Sequence, residues 1–314
     1  MKRIKLTVAI PTYNREAYLA QALETLQDQT EQSFKVILFD NASPYNIDAL
    51  VSRFPSLSIT LERNPTNMGN QANFERIMAY KFNTPYVMIF HDDDTIHPRY
   101  FENALQVLDT NEKILWAGSL VKYTRLAAKM LEFETPPLPV PMRLYNSHEL
   151  ADVFMGSLPV GFSPVIYRVS ALTNIKPNAA QFYKWFDRPF MLDAVNGSKA
   201  AIFHFPFINY RIHPSQDSAQ KYNEHIPAMI NLTDYISSAG SQSTGRKYAT
   251  TNALRTAIQN ASSIKEFISI LKRFQKHNLY RVVDIRPYAI YWLFRIWTKR
   301  IYDFYRQKNQ DLNK

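Results

Sequence analysis

Three short apolar runs, each stopped abruptly by a proline or a polar residue, constrain the fold more than any other feature of this chain. Leu6 to Ile10 stops at Pro11, Val36 to Phe39 at Asp40, and Tyr86 to Phe90 at His91. After the first run, Leu19, Ala22, Leu23 and Leu26 recur at i, i+3, i+4 and i+7, one face of a helix. Ahead of the third, Phe74, Ile77 and Met78 form a second helical stripe. Apolar runs without polar alternation suit strands covered on both faces. Strands alternating with helices predict an α/β fold, with a mostly parallel central sheet flanked by helices. The spacing also predicts a short helix over 47–54, a strand over 57–61 and a loop over 64–70. A helix over 99–109 and a strand over 114–117 follow.

The middle of the chain carries no clear period. Pro136-Pro137-Leu138-Pro139-Val140-Pro141 predicts an extended or polyproline connection, and residues 145–182 are expected to lie over the sheet and shape a pocket. Ala201 to Phe205 reads as one more strand, with Phe207 to Arg211 just after it. From about Asn223 the pattern is helical. Ile264, Phe267, Ile268 and Leu271 share one face; so do Ile290, Leu293, Phe294, Trp297, Ile301 and Phe304, opposite Arg295, Lys299, Tyr302 and Arg306. The expected organisation is a domain over 1–220, in two parts at about 1–120 and about 121–220. A helical, basic C-terminal extension would follow over 221–314.

Charge divides the chain at nearly the same place. From Arg246 to Lys314 there are 15 Lys and Arg against 4 Asp and Glu, whereas residues 1–245 hold 22 against 23. A near-neutral body therefore carries a basic, aromatic-rich tail, which is where a polyanion would meet it. An anionic membrane surface fits that composition, as does packing against the body. Nucleic acid is not expected as a partner, because no recognition motif accompanies the charge. The chain has no cysteine, which excludes disulfides, thiolate metal sites and a cysteine nucleophile. The run after the N-terminal basic residues is too short for a signal-peptide core. No stretch reaches the ~18–20 apolar residues of a membrane span. The expected location is cytoplasmic, with peripheral attachment to the inner face of the membrane open to the tail.

Ligands of a parallel α/β sheet bind at the carboxyl ends of its strands. Two acidic sites fall there: Asp40 after the second strand and Asp92-Asp93-Asp94 after the fourth. Three adjacent carboxylates repel one another unless a cation compensates. Hard oxygen ligands suit Mg²⁺ or Mn²⁺, which typically bridge carboxylates and substrate phosphates. Taken alone, the triplet reads sooner as a solvated turn ahead of the helix near Pro98. Only seven glycines occur and none forms a phosphate-cradling loop, which argues against P-loop and dinucleotide-binding enzymes.

Four segments together carry more weight. Val8-Ala9-Ile10-Pro11-Thr12-Tyr13-Asn14-Arg15 precedes a helix; Phe39-Asp40-Asn41-Ala42-Ser43, Asn64-Pro65-Thr66-Asn67-Met68-Gly69 and Phe90-His91-Asp92-Asp93-Asp94 come next. The set, over about residues 5–218, resembles glycosyltransferase family 2, inverting enzymes of the Rossmann-like GT-A fold. The resemblance implies a nucleotide-diphosphate sugar as donor, a UDP-sugar first among them, and Mn²⁺ or Mg²⁺ at a DXD-type motif. It puts Pro11, Tyr13 and Arg15 near the nucleotide, Asp40 on the base, Asn67 and Gly69 under the nucleoside, and Asp92 near the ribose or diphosphate. Asp93 and Asp94 fall to the metal. The family's acidic motif often reads Asp-x-Asp-Asp, and its first Asp falls here on His91, which retains the ability to donate to a ribose hydroxyl or phosphate. The helix after Gly69 offers Gln71, Asn73 and Arg76 where the family commonly has an Arg-Asn pair.

Inverting transfer needs a base for the acceptor hydroxyl and a cation for the leaving diphosphate. By the same resemblance, Asp187 in Tyr183-Lys184-Trp185-Phe186-Asp187-Arg188-Pro189 is the catalytic base, at the start of a helix under the acceptor. An N-cap role is the chemically equivalent alternative, and Asp193 is the substitute base. Asn209-Tyr210-Arg211-Ile212-His213 resembles the family's closing segment, implying Arg211 on the phosphates and His213 on the metal or diphosphate. His97, His148, His204, His225 and His277 receive no role. The expected activity is hexosyl-type transfer to a glycan or lipid-linked glycan, in surface polysaccharide biosynthesis. A nucleotidyltransferase is the competing enzyme class, although Pro11-Thr12-Tyr13-Asn14-Arg15 is not the Gly-rich basic loop it would need. A nucleotide- or membrane-binding adaptor on the same fold is the non-enzymatic alternative.

Overall fold

The computed structural model describes residues 3–125, 127–155, 158–173, 175–195, 197–214, 216 and 226–239, with positions 265, 268, 269 and 272. The first half follows the sequence pattern. Strand β1 (Leu6–Thr12) leads to helix α1 (Glu16–Gln27), β2 (Phe34–Asp40), α2 (Ile47–Val51), β3 (Ile59–Arg63), α3 (Asn70–Ala79) and β4 (Tyr86–Ile89). The strands lie in the order β3-β2-β1-β4, all parallel. Successive side chains of β1 feed opposite faces. Leu6, Val8 and Ile10 join α1 and α2, while Ala9 joins Phe74 and Ile77 of α3. Both faces are covered, as the unbroken apolar runs require.

Among the described residues, the second half completes a nine-stranded mixed sheet. It adds β5 (Thr95–Ile96), α4 (Tyr100–Thr110), β6 (Ile114–Thr124), β7 (Met142–Tyr145), α5 (Ser147–Met155), β8 (Ile166–Arg168), α6 (Ala179–Phe182), α7 (Asp187–Asp193), β9 (Lys199–Arg211) and α8 (Ile226–Ala239). Beyond β4 the order is β8-β6-β9-β5, with β7 also on β9. Strands β6 and β9 are parallel, whereas β8 runs antiparallel to both β4 and β6.

Two expectations about this half change. Residues 145–182 do not all lie over the sheet: α5 packs on its face, but Ile166–Arg168 enters the sheet between β4 and β6. Arg168 anchors the insertion, its Nε donating to the carbonyl of Ile114 at 2.8 Å and its Nη2 to those of Leu108 and Asn111. The two strand segments near 201–211 are one 13-residue strand running through Pro206. Proline has no N–H for the ladder, and Pro206 faces Leu120 where the register shifts on both sides, so the irregularity absorbs it. The proline-rich stretch is irregular, with a cis bond between Leu138 and Pro139.

Helix α8 is docked on the body. Ile236 is buried in the same core as Phe190 and Met191 of α7, the ring of Tyr235 lies 5.2 Å from that of Phe182, and the Tyr235 hydroxyl donates to Asp193. Among the described residues no helix is long and apolar enough to cross a membrane. Positions 265, 268, 269 and 272 are helical; the other members of the predicted stripes beyond 260 lie outside the described residues.

Candidate functional site

The carboxyl ends of β1, β2 and β4 converge on one mouth. Thr12, the last residue of β1, is in register with Asp40, the last of β2. The amide of Phe90 bonds the carbonyl of Ala9 at 2.9 Å, so His91 to Asp94 turn away directly beside the end of β1. Strand β5 then pairs antiparallel with β9, Thr95 against Asn209. That pairing carries Arg211 and His213, distant in sequence, onto the same turn.

All three aspartates are buried, Asp92 at 3%, Asp93 at 8% and Asp94 at 0% exposure. Each is held differently. Asp92 accepts from Thr12 Oγ1 at 2.8 Å and from Arg15 Nη1 at 2.9 Å. Asp93 Oδ2 receives Arg15 Nη1 at 3.0 Å and meets His213 Nε2 at 3.0 Å. Asp94 Oδ1 accepts from the amide of Arg211 at 3.1 Å, and Arg211 Nε donates to the Asp93 carbonyl at 2.8 Å. The Arg211 guanidinium also reaches Gln21 and lies 4.3 Å over the Tyr18 ring, whose centroid is 4.9 Å from that of His213.

Burial and crowding divide the three carboxyls. Burial, followed by the charge of Asp93, pushes Asp92 up to about 6 against the pull of Arg15 and Thr12. Burial works on Asp93 in the same direction, but the charges of His91 and Arg15 and the His213 contact outweigh it and hold the group below the usual range. Asp94 is driven well above that range, by burial first and by Asp93 second.

Asp94 Oδ2 is buried without a hydrogen bond among the described residues, and His91 Nδ1 stands 3.7 Å from it. One ligand atom from each of His91, Asp93 and Asp94 lies within 4.8 Å of the others. A buried carboxylate oxygen lacking a proton donor, among carboxylates and an imidazole, is chemistry that fits Mn²⁺ or Mg²⁺. Of the sequence candidates for a metal, Asp93 and Asp94 belong to this group, whereas His213 approaches it through Asp93. The main chain of His91 is fixed by donation to Ser163 Oγ at 3.2 Å.

The neighbouring loop is strung on one carboxamide. Asn41 Oδ1 accepts from Asn64 Nδ2 and from the Met68 amide, both at 2.9 Å. Asn41 Nδ2 donates to Asn67 Oδ1 at 2.7 Å and to the Gly69 carbonyl at 3.2 Å. Gly69 caps α3 at φ 83°, a conformation that glycine adopts without strain. Asn67 and Gly69 are exposed at the rim. Asp40 is fully buried; its Oδ1 accepts from the Ser43 amide at 3.0 Å, and Arg63 Nε lies 3.3 Å from Oδ2. Pro11 is half-buried and Tyr13 exposed beside them.

Asp187 is the first residue of α7, which is tied to the sheet by Trp116 Nε1 donating to the Met191 carbonyl at 3.0 Å and to α5 by Arg188 Nη1 donating to the Phe154 carbonyl at 2.8 Å. Phe186, its N-cap, packs on Phe74 with centroids 4.9 Å apart. Burial raises the Asp187 carboxyl above its ordinary range, opposed by the Arg188 charge and amide and by the charge of His91. Asp193, at the far end of the helix, is engaged by the Tyr235 hydroxyl. Sequence reasoning missed the contributions of Tyr18, Gln21 and Ser163, none of which carries a motif of its own; Thr12 and Asn41 were visible inside motifs without a role.

Comparison with known proteins agrees with this geometry. The Glycosyl transferase family 2 model matches residues 7–153. A Haemophilus influenzae protein described as an uncharacterized glycosyltransferase is 33% identical over 109 residues, which is 35% of this chain and 36% of that protein. The match thus spans about a third of the length of that relative. Staphylococcus aureus TarS, solved in complex with UDP-GlcNAc, superposes with a TM-score of 0.60 at 14% identity, covering 90% of this chain and 82% of the other. A mannosyltransferase from Pyrobaculum calidifontis, in complex with GDP-Man and Mn²⁺, gives 0.50 at 14% identity, covering 96% and 88%. These likenesses establish the architecture. The mouth described above thus lies largely within residues 7–153, the stretch that matches the Glycosyl transferase family 2 model, and the chain as a whole has a GT-A fold.

Proposed function

We propose that this protein is an inverting, metal-dependent glycosyltransferase that moves a hexosyl-type sugar from a nucleotide-diphosphate donor, a UDP-sugar before others, to an acceptor hydroxyl. One observation carries the reading. Three ligand atoms of His91, Asp93 and Asp94 lie within 4.8 Å at the carboxyl end of the sheet, where Asp94 Oδ2 is buried without a hydrogen bond among the described residues. Such a site is costly unless a cation completes it. A bound Mn²⁺ or Mg²⁺ would offset the charge of the leaving diphosphate. Arg15 and Arg211 are the guanidinium partners for phosphate oxygens, and the 41–69 loop with Asp40 is the nucleoside side. Asp187 takes the acceptor proton as the acceptor oxygen bonds to the anomeric carbon and the bond to the diphosphate breaks. Its raised affinity for a proton suits a base.

The same reading assigns residues 1–220 to catalysis and 221–314 to a basic helical extension that meets an anionic membrane surface. The acceptor is then a glycan or lipid-linked glycan of a surface polysaccharide, and the enzyme works at the cytoplasmic face. The UDP-GlcNAc and GDP-Man complexes of the two structural relatives support a nucleotide-sugar donor. The experiment is a panel of nucleotide sugars, assayed for binding by thermal shift and for acceptor-free hydrolysis, with and without Mn²⁺. Metal-dependent binding of at least one donor is expected. Absence of any such binding across the panel would remove the proposal.

A further inference from the structure

We propose that Arg15 is an internal counter-ion whose displacement makes divalent-cation binding and diphosphate binding cooperative. This rests on the transferase reading above and adds an order to its donor site. The Oδ2 of Asp93 already receives two donors, Arg15 Nη1 at 3.0 Å and His213 Nε2 at 3.0 Å. A carboxylate oxygen offers about two lone-pair sites. The same carboxylate supplies a ligand atom to the group it forms with His91 and Asp94. A dication entering there draws on the carboxylate that Arg15 holds and repels the guanidinium charge at close range. One contact must yield.

Arg15 is the partner able to move. The His213 side chain is 5% exposed, whereas that of Arg15 is 26% exposed and sits at the N-cap of α1, outside the helix proper. Its bond to Asp92 Oδ1, at 2.9 Å, serves as a pivot when the contact with Asp93 is released. In solution without nucleotide the release costs a charge-assisted bond. A diphosphate offers the guanidinium a replacement of matching geometry, at the N-terminus of a 12-residue helix where an anion is favoured. Cation and nucleotide therefore assist each other, and the coupling is reciprocal. Metal alone meets an occupied carboxylate; metal with diphosphate meets a vacated one.

The test is a Mn²⁺ titration of the full chain, reading free Mn²⁺ by electron paramagnetic resonance, with and without UDP. In the native protein UDP is expected to tighten Mn²⁺ binding by about ten-fold or more, within the usual range of coupling. Arg15→Gln should bind Mn²⁺ alone more tightly than the native protein, and UDP should then add little. Arg15→Lys keeps the charge and should restore part of the coupling, which separates loss of the counter-ion from damage to the fold. If Arg15→Gln binds Mn²⁺ alone no more tightly, or keeps the full effect of UDP, the role of Arg15 is overturned while the transferase reading stands. If the native protein shows no metal-dependent binding of UDP or of any other nucleoside diphosphate, both fall together.

Discussion

The Nε2 of His213 meets the Oδ2 of Asp93 at 3.0 Å, joining positions 120 residues apart in the chain. The contact exists because β5 and β9 pair immediately beside the acidic turn. Asp93→Ala should abolish turnover and remove metal-dependent UDP binding. His213→Ala, which loosens the carboxylate without deleting it, should weaken metal affinity by about 10-fold or more, the range seen when the partner orienting a ligand is lost. Mn²⁺ titration in the presence of UDP checks both, and equal affinity in His213→Ala and the native protein would contradict the orienting role.

Asp187 gives a prediction with opposite signs for activity and stability. Its folded-state pKa is raised above the ordinary 3.8 by burial. Below that value both folded and unfolded chains hold the proton, so the group contributes nothing. As pH rises, the unfolded chain ionises first and the folded state is progressively disfavoured, until pH passes the raised value and the penalty levels off. Asp187→Asn should therefore raise the melting temperature at neutral pH, and the gain should shrink on acidification toward pH 3.8. Transfer should fall by about 10²–10⁴-fold with donor binding preserved. Normal transfer by this variant would dismiss Asp187 as the base.

Asn41 is expected to govern donor affinity without touching the reacting atoms. Its removal strips partners from Asn64, Asn67, the Met68 amide and the Gly69 carbonyl at once. Asn41→Ala should cost roughly 1–3 kcal/mol of stability. It should also raise the donor KM several-fold while changing kcat little. Steady-state kinetics with the donor varied distinguishes this from a general loss of active protein, which would lower kcat alone.

The basic part of the 221–314 extension is testable because α8, near its start, docks on the body. A chain ending after about residue 260 retains Ile236 in the core and the Tyr235 contact with Asp193, so the catalytic domain should stay folded. The truncation should reduce sedimentation with anionic vesicles at low salt, while donor binding persists. Undiminished vesicle binding would return the tail to a packing role.

Much of the first half was legible in the sequence because its signals are local. The stripe Leu19, Ala22, Leu23 and Leu26 is buried as the period demands, and the strands expected at 6, 36 and 86 are present with the anticipated parallel pairing. The second half depends on contacts without a local signature. Strand β8 has three residues, too few for a period, and belongs to the sheet only through pairing with β4 and β6. Pro206 looked like a break because its missing N–H normally ends a ladder, and only the shifted register opposite Leu120 accommodates it. At the site, the acidic triplet and its family motif were visible. That His91 shares the carboxylate cluster was not, because its position depends on the turn geometry and the Ser163 anchor.

The position of Arg15 in the chain has a consequence during synthesis. The aspartates at 92–94 leave the ribosome well ahead of Arg211 and His213, and until β9 pairs with β5 and β6 they lack those two partners. Arg15 is already outside, on the strand–helix unit that β4 joins first. A nascent chain therefore need not bury a bare cluster of negative charge while it waits for its second half.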